Sequence, residues 1–337
     1  MRTGIIGCGN VGRTHAMLLA QMKDISLCGF ADIKLERAKE FAKAYGDGSA
    51  FQTLEEMVVQ KKLEAVHICT PHNLHVPMAV WLLERGIHVF MEKPAAVSRE
   101  QMEQLDEAVK NSQAILGICF QNRYNDASRE VERILAEGSM GTLKGARAFV
   151  TWSRQQNYYL DSGWRGTMEQ EGGGALINQA IHTLDLLTRW MGRPLEAEAQ
   201  TANHHLKGII EVEDTLEAYI RYEKGNACFY ATTAYETDAP VLIELAFEQG
   251  TVRVEENSVV CRYCDGREIS FRYDCGGHTG KAYWGSGHKS CMEDFYRCLK
   301  DRIPYQNDWD SAKDTMELMF AIYESAGKQC QVRIHER

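Results

Sequence analysis

The sequence predicts an α/β protein with two domains: a doubly wound parallel sheet comes first, and an α+β domain with a large, mainly antiparallel open sheet follows. Three observations support this fold class. Short apolar runs alternate with helical periods up to about residue 120. Between Glu196 and Tyr273 the apolar period is mostly two, as in strands with one buried face. The length of 337 residues suits one large or two ordinary domains.

The first part of the chain alternates strands and helices. Strands are predicted at Thr3–Ile6, Ile25–Ala31, Ala65–Cys69, Ile87–Met91 and Ile115–Phe120, and helices at Val11–Met22, Lys34–Tyr45, Val76–Glu84 and Arg99–Asn111. Such alternation predicts parallel strands with helices on both faces of the sheet. We place the boundary near residue 120, which gives domains of residues 1–120 and 121–337.

The second part begins with a helix and a strand and then changes period. Helices are predicted at Ala127–Ala136, Ala175–Met191, Ser286–Leu299 and Asp310–Lys328, with a strand at Lys144–Trp152. The alternating segments between residues 196 and 273 predict antiparallel strands. Because the connection between the domains is short, we expect the functional site in the crevice between them.

Composition narrows the range of partners. The net charge is −9, whereas nucleic acids and anionic membranes attract basic surfaces. No apolar run approaches the roughly 18 residues that a membrane span needs. The start, MRTGIIGCGN, enters a strand directly and lacks the apolar region of a signal peptide. We therefore expect a cytoplasmic protein that binds a small molecule, with no nucleic-acid or membrane partner.

The 11 cysteines are odd in number and scattered, which indicates reduced thiols rather than a disulfide framework. One group, Cys261, Cys264, Cys275 and His278, has spacing that could be written as a zinc site. However, Val259–Tyr273 is predicted as a hairpin that turns at Asp265-Gly266. That hairpin would separate Cys264 from Cys275 by on the order of 30 Å, so we expect no metal.

A glycine-rich turn joins the first predicted strand to the first helix. Its sequence, GCGNVG at residues 7–12, fits G-x-G-x-x-G in the context that binds dinucleotides. Gly7 permits the tight turn, Gly9 lets a pyrophosphate approach the backbone, and Gly12 lets the helix pack closely on the strand. The helix N-terminus then faces the phosphate charge. The alternative is a strand–helix turn without a ligand.

An acidic residue follows at the end of the second strand. Asp32 lies 20 residues after Gly12, where a carboxylate accepts hydrogen bonds from the ribose hydroxyls of NAD and repels the 2′-phosphate of NADP. Lys34 and Arg37 could screen that repulsion. The sequence therefore favours NAD, with NADP as the alternative.

Two further stretches follow strands at the edge where α/β sheets bind ligands. The first, CTPHNLHVPM, carries Thr70, Pro71, Asn73 and His75. These residues could line the cofactor, although ordinary loop or helix-cap duty is the commoner role of such histidines. In the second, FMEKP, Lys93 could point into the crevice and stabilise an alkoxide while Glu92 anchors the turn. The alternative is a solvated charge pair.

The segment Gly172–Gly192 joins three glycines to a helix that is apolar around most of its circumference. Asn178, His182, Asp185 and Arg189 follow at spacings of four, three and four residues and form one polar stripe. A solvent-facing stripe would usually carry lysine and glutamate, so this one is predicted to face a wet cavity or a partner. His182 is then a candidate general base, and the glycines would let the backbone approach a bound ring. The alternative for His182 is a structural role.

Together these motifs resemble the glucose–fructose oxidoreductase / inositol dehydrogenase (Gfo/Idh/MocA) family. The stretches GIIGCGNVG, TPHNLH, GIHVFMEKP, QNRY, WRG, GGGALINQAIHTLDLL, GSGH and AIYESA occur in the family's order over nearly the whole chain. The resemblance implies a Rossmann domain, homodimers or homotetramers formed through the open sheet, and a cis Lys93–Pro94 bond. It also implies an NAD(P)-dependent oxidoreductase acting on a CH–OH group, with Lys93 and His182 as its catalytic residues.

The remaining site residues follow from the motifs and the resemblance. Predicted cofactor contacts are Gly7, Gly9, Asn10, Val11, Gly12, Asp32, Thr70, Pro71, Asn73, His75, Glu92, Lys93, Asn122, Trp164 and Arg165. Predicted substrate contacts are Arg123, Tyr158, Asn178, His182 and His288. Many family members carry aspartate at the position of Asn178. Because an amide cannot accept a proton, Asn178 is expected to orient the substrate or His182 by hydrogen bonding.

The loop Thr151–Arg165 mixes aromatic, amide, hydroxyl and guanidinium groups, which suits a sugar. The alternative for this loop is a subunit interface. We expect oxidation of a ring hydroxyl of a sugar, polyol or glycoside, or the reverse reduction. Three other interpretations stay open: an imine, biliverdin-type or dihydrodiol enzyme; an NAD-binding sensor or repressor-like relative without turnover; and an enzyme whose cofactor never leaves.

Overall fold

The structure, a computed structural model, describes residues 1–273 and 287–334. The chain divides into two compact units, Met1–Phe120 with Lys289–Ala312 and Gln121–His288 with Lys313–Arg337. The predicted division at residue 120 places everything after it in the second domain, whereas residues 289–312 belong to the first unit. This segment returns because it carries apolar side chains for the first sheet: the ring of Phe295 packs 5.1 Å from that of Phe90.

The first unit contains a six-stranded parallel sheet. The strands are β1 (Arg2–Ile6), β2 (Ser26–Ala31), β3 (Ala50–Phe51), β4 (Ala65–Ile68), β5 (His88–Met91) and β6 (Leu116–Ile118). The helices between them are α1 (Asn10–Leu19), α2 (Leu35–Tyr45), α3 (Leu54–Lys61), α4 (His75–Leu83) and α5 (Arg99–Lys110). The strand order β3-β2-β1-β4-β5-β6 is that of a Rossmann fold, which confirms the predicted fold class of this half.

Two elements of this unit, β3 and α3, are missing from the sequence prediction. β3 has only two residues, so no period can be read from it. α3 does carry a start signal, because Thr53 and Glu56 have the spacing of a capping box and Thr53 Oγ1 accepts a hydrogen bond from Glu56 N at 3.2 Å. Its buried residues are only Leu54 and Met57, and so short a stripe gives a weak helical period.

The second unit is built on a nine-stranded sheet. Its strands are β7 (Leu143–Thr151), β8 (Pro194–Ala202), β9 (Thr215–Tyr222), β10 (Gly225–Thr232), β11 (Leu242–Phe247), β12 (Gly250–Glu255), β13 (Ser258–Tyr263), β14 (Glu268–Arg272) and β15 (Val332–Arg333). Their order is β14-β13-β12-β11-β7-β10-β9-β8-β15. β7 and β10 pair in parallel and the other described pairs are antiparallel, which confirms the predicted mainly antiparallel sheet.

One face of this sheet is buried and the other is exposed. In β9, Leu216, Ala218 and Ile220 are buried while the residues between them are exposed, as the period of two predicts. The described helices after residue 120 are α6 (Asp126–Glu137), α7 (Gln156–Leu160), α8 (Ile181–Met191), α9 (Gly287–Asp301) and α10 (Trp309–Lys328). No helix within residues 1–273 and 287–334 has the length and apolar character needed to cross a bilayer.

The predicted helix Ala175–Met191 has a different start in the structure. It begins as a π-helical turn at Ala175–Ala180 and continues as α8. A Cβ on Gly174 would lie 1.9 Å from the backbone oxygen of Glu213, and one on Gly173 would lie 2.3 Å from the hydroxyl of Tyr323. Gly173 and Gly174 therefore allow close packing against residues of the same unit, and the prediction that the glycines let the backbone approach a bound ring stays a prediction. π-helical turns are rare and are frequent at functional sites.

Candidate active site

The turn between β1 and α1 has the shape that a dinucleotide requires. Gly7 has a φ of +95°, and a Cβ there would lie 2.4 Å from Cys69 O. A Cβ on Gly12 would lie 2.1 Å from Gly7 O, so neither position admits a side chain. At Gly9, by contrast, a Cβ would meet nothing within 4 Å. Gly9 is the N-cap of α1, so this open space fits a pyrophosphate at the helix N-terminus.

Asp32 is held beside this turn at the end of β2. It is buried, and its carboxylate accepts hydrogen bonds from Cys8 N at 2.9 Å and from Lys34 N at 2.8 Å. Because Cys8 belongs to the glycine turn, these bonds fix the carboxylate next to the phosphate position, where a ribose would lie. Asn10 and Val11 form the first turn of α1 at the same place. The residues present therefore fit NAD.

The loop after β4 is tied to the turn that carries Lys93. His75 is fully buried, with Nδ1 2.8 Å from Pro94 O and Nε2 3.0 Å from Thr70 O. Burial lowers the pKa of His75, while the two carbonyl oxygens at its ring nitrogens act in the opposite direction. His75 thus braces the loop against the turn, and its contact with a cofactor stays a prediction. Lys93 is half-buried and the Lys93–Pro94 bond is cis, as the resemblance implies.

Glu92 ends a chain of buried side chains that the sequence analysis does not predict. His15 Nε2 lies 2.9 Å from Glu92 Oε1, and His15 Nδ1 lies 2.8 Å from His67 Nδ1. His67 Nε2 lies 2.8 Å from the Tyr296 hydroxyl, which lies 3.2 Å from Thr3 Oγ1. All five residues are buried. They come from β1, α1, β4, α9 and the end of β5, so no sequence period connects them.

The hydrogen bonds of this chain have one consistent direction when both rings are neutral and Glu92 is ionised. Glu92 accepts from Nε2–H of His15, so Nδ1 of His15 must accept from His67. His67 in turn accepts from the Tyr296 hydroxyl. Burial lowers the pKa of His67 well below its usual value, which is in keeping with a neutral ring. In that state the carboxylate directly before Lys93 accepts a hydrogen bond from His15.

The same region holds the described group of side chains that most resembles a metal site. The ligand atoms of His15, Glu92 and Cys119 lie within 4.8 Å of one another. However, His15 and Glu92 bond directly to each other, and burial raises the pKa of the Cys119 thiol well above its usual value. Hydrogen bonding therefore accounts for this group.

The hairpin predicted at Val259–Tyr273 is confirmed: β13 pairs with β14, and Asp265-Gly266 lies in the connecting turn. Cys261 is buried and Cys264 is exposed, whereas Cys275 and His278 lie outside the described residues.

Two other predicted site residues, Pro71 and His288, lie at the starts of helical segments. Pro71 precedes a 3₁₀ turn at His72–Leu74, and His288 is buried in the first turn of α9.

The π-helical turn and α8 position the predicted catalytic residues of the second unit. Asn178 lies in the π-helical turn and His182 lies in the first turn of α8, and both are half-buried. His182 Nε2 lies 3.4 Å from the amide nitrogen of Gln121, a donor. In this arrangement Nε2 is an acceptor, which is the state that a general base requires. The catalytic role of His182 stays a prediction.

A carboxylate that the sequence analysis does not include lies next to Asn178. Glu171 is buried, with one oxygen accepting from the Asn178 amide and the other from Gly166 N. Burial raises the pKa of Glu171 to about 7, while its hydrogen bonds and Arg165 act in the opposite direction. Glu171 directly precedes the three glycines, but no sequence period marks it as buried.

Asp185 and Arg189 have different surroundings, which corrects the predicted polar stripe. Asp185 is buried and accepts from Nε of the buried Arg123 at 2.7 Å. Arg189 is exposed and pairs with Glu132. The stripe along α8 is therefore not one continuous face toward a wet cavity. Arg123, predicted to contact the substrate, lies in a buried ion pair, so that assignment stays a prediction without structural support.

The aromatic loop is organised around Tyr158 on α7. The guanidinium of Arg165 lies 4.5 Å from the ring centre of Tyr158 and 4.9 Å from that of Trp164. The Tyr158 hydroxyl accepts from Gln179 Nε2 at 2.8 Å and from Asn178 Nδ2 at 3.4 Å. The structure thus brings Asn178 together with Tyr158 and Arg165 of the loop Thr151–Arg165.

Three predicted cofactor contacts carry buried polar atoms that meet no partner in the described part of the chain. They are Asn73 Oδ1, Asn122 Oδ1 and Arg165 Nε. Buried polar atoms are rarely left without hydrogen bonds, so each of these atoms, the first in one unit and the other two in the other, is suited to contact a polar group of a ligand. The two amide oxygens would accept hydrogen bonds and the guanidinium nitrogen would donate one.

The glycine turn, Asp32 and the strand order define a dinucleotide-binding protein of the Rossmann class. A family model described as an oxidoreductase family with an NAD-binding Rossmann fold matches residues 1–120. A second, described as the Gfo/Idh/MocA C-terminal domain, matches residues 128–267. The chain therefore belongs to the Gfo/Idh/MocA family, and the resemblance drawn from the motifs is confirmed.

Known relatives are similar over much or all of the chain. D-glucoside 3-dehydrogenase of Escherichia coli (strain K12) is 28% identical, over 69% of this chain and 70% of its own. Levoglucosan dehydrogenase of Pseudarthrobacter phenanthrenivorans is 25% identical, over 99% of this chain and 98% of its own. The crystal structure of the WlbA dehydrogenase from Bordetella pertussis, in complex with NADH and UDP-GlcNAcA, has a TM-score of 0.86 at 28% identity and covers 100% of this chain and 99% of its own.

Proposed function

We propose that this protein is an NAD-dependent dehydrogenase that oxidises a ring hydroxyl of a sugar, polyol or glycoside, or catalyses the reverse reduction. One observation carries the proposal: the glycine turn contacts the loop after β4, and His75 ties that loop to the turn of Lys93. A cationic side chain is thereby anchored at the edge of the sheet that fits the dinucleotide. The relatives support the substrate class, since two are named as dehydrogenases of a glucoside and of levoglucosan.

The proposed roles follow from what each side chain can do. NAD, when bound, supplies the acceptor for a hydride from the alcohol carbon. His182 takes the hydroxyl proton at Nε2. Lys93 donates a hydrogen bond to the alcohol oxygen as negative charge develops on it. Asn178 cannot take a proton and therefore orients the alcohol.

The other assignments complete the proposal. Asn122, Trp164 and Arg165 contact the cofactor, and Tyr158 and His288 contact the substrate. We further propose that the enzyme works in the cytoplasm as a homodimer or homotetramer. Light scattering on the purified protein tests the oligomeric state, and a monomer at working concentration would remove that part of the proposal.

The direct test incubates the protein with NAD and a panel of glucosides, anhydrosugars, inositols and free sugars. We expect growth of the absorbance band of reduced nicotinamide with at least one glycoside or polyol, and none with Lys93→Ala/His182→Ala. Silence of the wild-type enzyme across the panel, despite tight NAD binding, would instead support a sensor without turnover. Mass spectrometry of the purified protein would reveal a nucleotide that never leaves.

A further inference from the structure

Glu171 has contacts that restrict the orientation of Asn178. Its two oxygens accept from the Asn178 amide nitrogen and from Gly166 N. The Asn178 amide nitrogen also lies 3.4 Å from the Tyr158 hydroxyl. An amide has two N–H donors and one carbonyl oxygen. Because Glu171 and Tyr158 lie on the NH₂ side of the amide, Oδ1, an acceptor, lies on its other side.

We propose that Glu171 is a positioning residue that holds the Asn178 amide with its carbonyl oxygen directed to the substrate hydroxyl. This inference rests on the proposed function. It assigns a role to a residue for which the sequence motifs supply none. It also explains how an asparagine serves at a position where many family members carry aspartate: toward a hydroxyl proton, a correctly oriented amide oxygen is an acceptor like a carboxylate oxygen.

A carboxylate is the group that this arrangement needs. Gly166 N and the Asn178 amide are both donors, and an ionised Glu171 offers only acceptors. A glutamine could accept from Gly166 N, but its own NH₂ would then face the Asn178 NH₂. Asn178 would have to turn over to accept from it, and the amide would present N–H instead of C=O to the substrate.

The surroundings of Glu171 make its charge sensitive to pH. The titratable and charged groups that act on it or feel it are Arg165, Glu213, Tyr158, Tyr159 and Tyr323. Arg165 favours the ionised form, whereas Glu213 opposes it, as does burial. When Glu171 binds a proton it becomes a donor, and the orientation of Asn178 is no longer fixed.

The test compares Glu171→Gln with the exchange Glu171→Gln/Asn178→Asp, using the substrate that the panel identifies. In the exchange, the glutamine amide introduced at position 171 would donate to the new carboxylate and its carbonyl would accept from Gly166 N. The Tyr158 hydroxyl, which accepts from Asn178 in the wild type, would donate to that carboxylate instead. We expect Glu171→Gln to lower kcat by about 10- to 100-fold and the exchange to recover most of it. Glu169→Gln, at an exposed glutamate two residues away, is the matched control and keeps the wild-type rate.

The pH profile separates positioning from a structural role. The wild type should lose kcat as pH falls through about 7, the pKa to which burial raises Glu171. In Glu171→Gln the part of this acid limb that comes from Glu171 should disappear, while the part that comes from the proposed base His182 stays. A merely structural Glu171 would lower the melting temperature without changing the shape of the profile. Wild-type kcat and an unchanged acid limb in Glu171→Gln would overturn the proposal.

A readout without substrate keeps this proposal distinct from the proposed function. In ¹⁵N-labelled protein, the side-chain NH₂ signal of Asn178, identified by its loss in Asn178→Asp, should shift with pH in the wild type and not in Glu171→Gln. This expectation holds even if no panel compound is oxidised. An Asn178 signal that is the same in wild type and Glu171→Gln at every pH would overturn the proposal whether or not the enzyme turns over.

Discussion

The two units each bury a carboxylate, and they stabilise it in different ways. Glu92, in the first unit, accepts from His15, which continues through His67 to Tyr296. Glu171, in the second unit, accepts from an amide and a backbone N–H. The partners of Glu92 are ionisable rings on regular helices and strands. The partners of Glu171 belong to a loop and a π-helical turn and cannot ionise near neutral pH.

This difference has a physical consequence. A chain of imidazoles and hydroxyls can reverse its donors only as a whole, so one residue cannot change orientation alone. The Asn178 amide has two orientations of similar shape, and the charge of Glu171 favours the one that turns its NH₂ toward the carboxylate. Glu92 in the first unit is therefore held by a cooperative chain of hydrogen bonds, whereas Glu171 in the second unit is held by contacts that pH can change. Four experiments test this contrast and the site around it.

The strongest loss of activity is expected for the proposed base on α8. Replacing His182 with alanine removes the acceptor for the hydroxyl proton and should lower kcat by about 10²- to 10⁴-fold. Steady-state kinetics on the panel substrate measure this, with His205→Ala, at an exposed histidine, as the control. Wild-type turnover in His182→Ala would remove the residue from the mechanism.

The buried chain of the first unit should show a large effect on stability. His15→Leu leaves Glu92 without its ring partner and His67 without its acceptor, which should lower the free energy of unfolding by about 3 kcal/mol. Urea unfolding followed by circular dichroism measures the change. Adding Glu92→Gln should recover part of the loss, because it removes the buried charge. Equal stabilities of His15→Leu and His205→Leu would show that the chain does not stabilise Glu92.

A smaller effect is expected for cofactor choice. Asp32→Ala removes the carboxylate beside the glycine turn and should weaken NAD binding by about tenfold, equivalent to the loss of one charge-assisted hydrogen bond. NADP binding should weaken less or improve, since the repulsion of its 2′-phosphate is removed. Fluorescence titration with NADH and NADPH measures both. Parallel changes for the two cofactors would contradict the assigned role.

The fourth experiment measures the pH dependence of stability that Glu171 confers. Its pKa is raised from 4.5 to about 7 in the folded protein, so its favourable contribution is complete below 4.5 and is lost as pH rises through about 7. Glu171→Gln lacks this loss. The melting temperature of the variant relative to wild type should therefore rise between about pH 5 and pH 8, by about 2–4 °C per kcal/mol. A difference independent of pH would show that Glu171 does not titrate in this range.

The local sequence pattern is sufficient to predict the nucleotide-binding elements. Gly7 and Gly12 occupy positions where any Cβ would strike the backbone, and Gly9 is open, as the motif requires. Asp32 and Lys93 can be recognised because each follows a strand, and parallel strands end at one edge. Steric requirements within a few residues restrict the residue types at these positions, so they can be recognised in the sequence.

The contacts of the second unit are harder to predict from the sequence. The period of 3.6 predicts a helix from Ala175 but not its π-helical start, which depends on Glu213 and Tyr323 packing against the glycines. The same period groups Asp185 with His182, whereas Asp185 is paired with Arg123 in the interior. Partners far apart in the chain decide these features.

Local spacing and backbone sterics are enough to specify the fold class of the nucleotide-binding unit, the glycine turn, the acidic residue beside it and the family. Three features instead required the folded chain: the support of Glu92 by His15 and His67, the contact of Glu171 with Asn178, and the return of residues 289–312 to the first unit. Hydrogen-bond partners in a buried network are chosen by three-dimensional proximity and by the need to satisfy every donor and acceptor away from water.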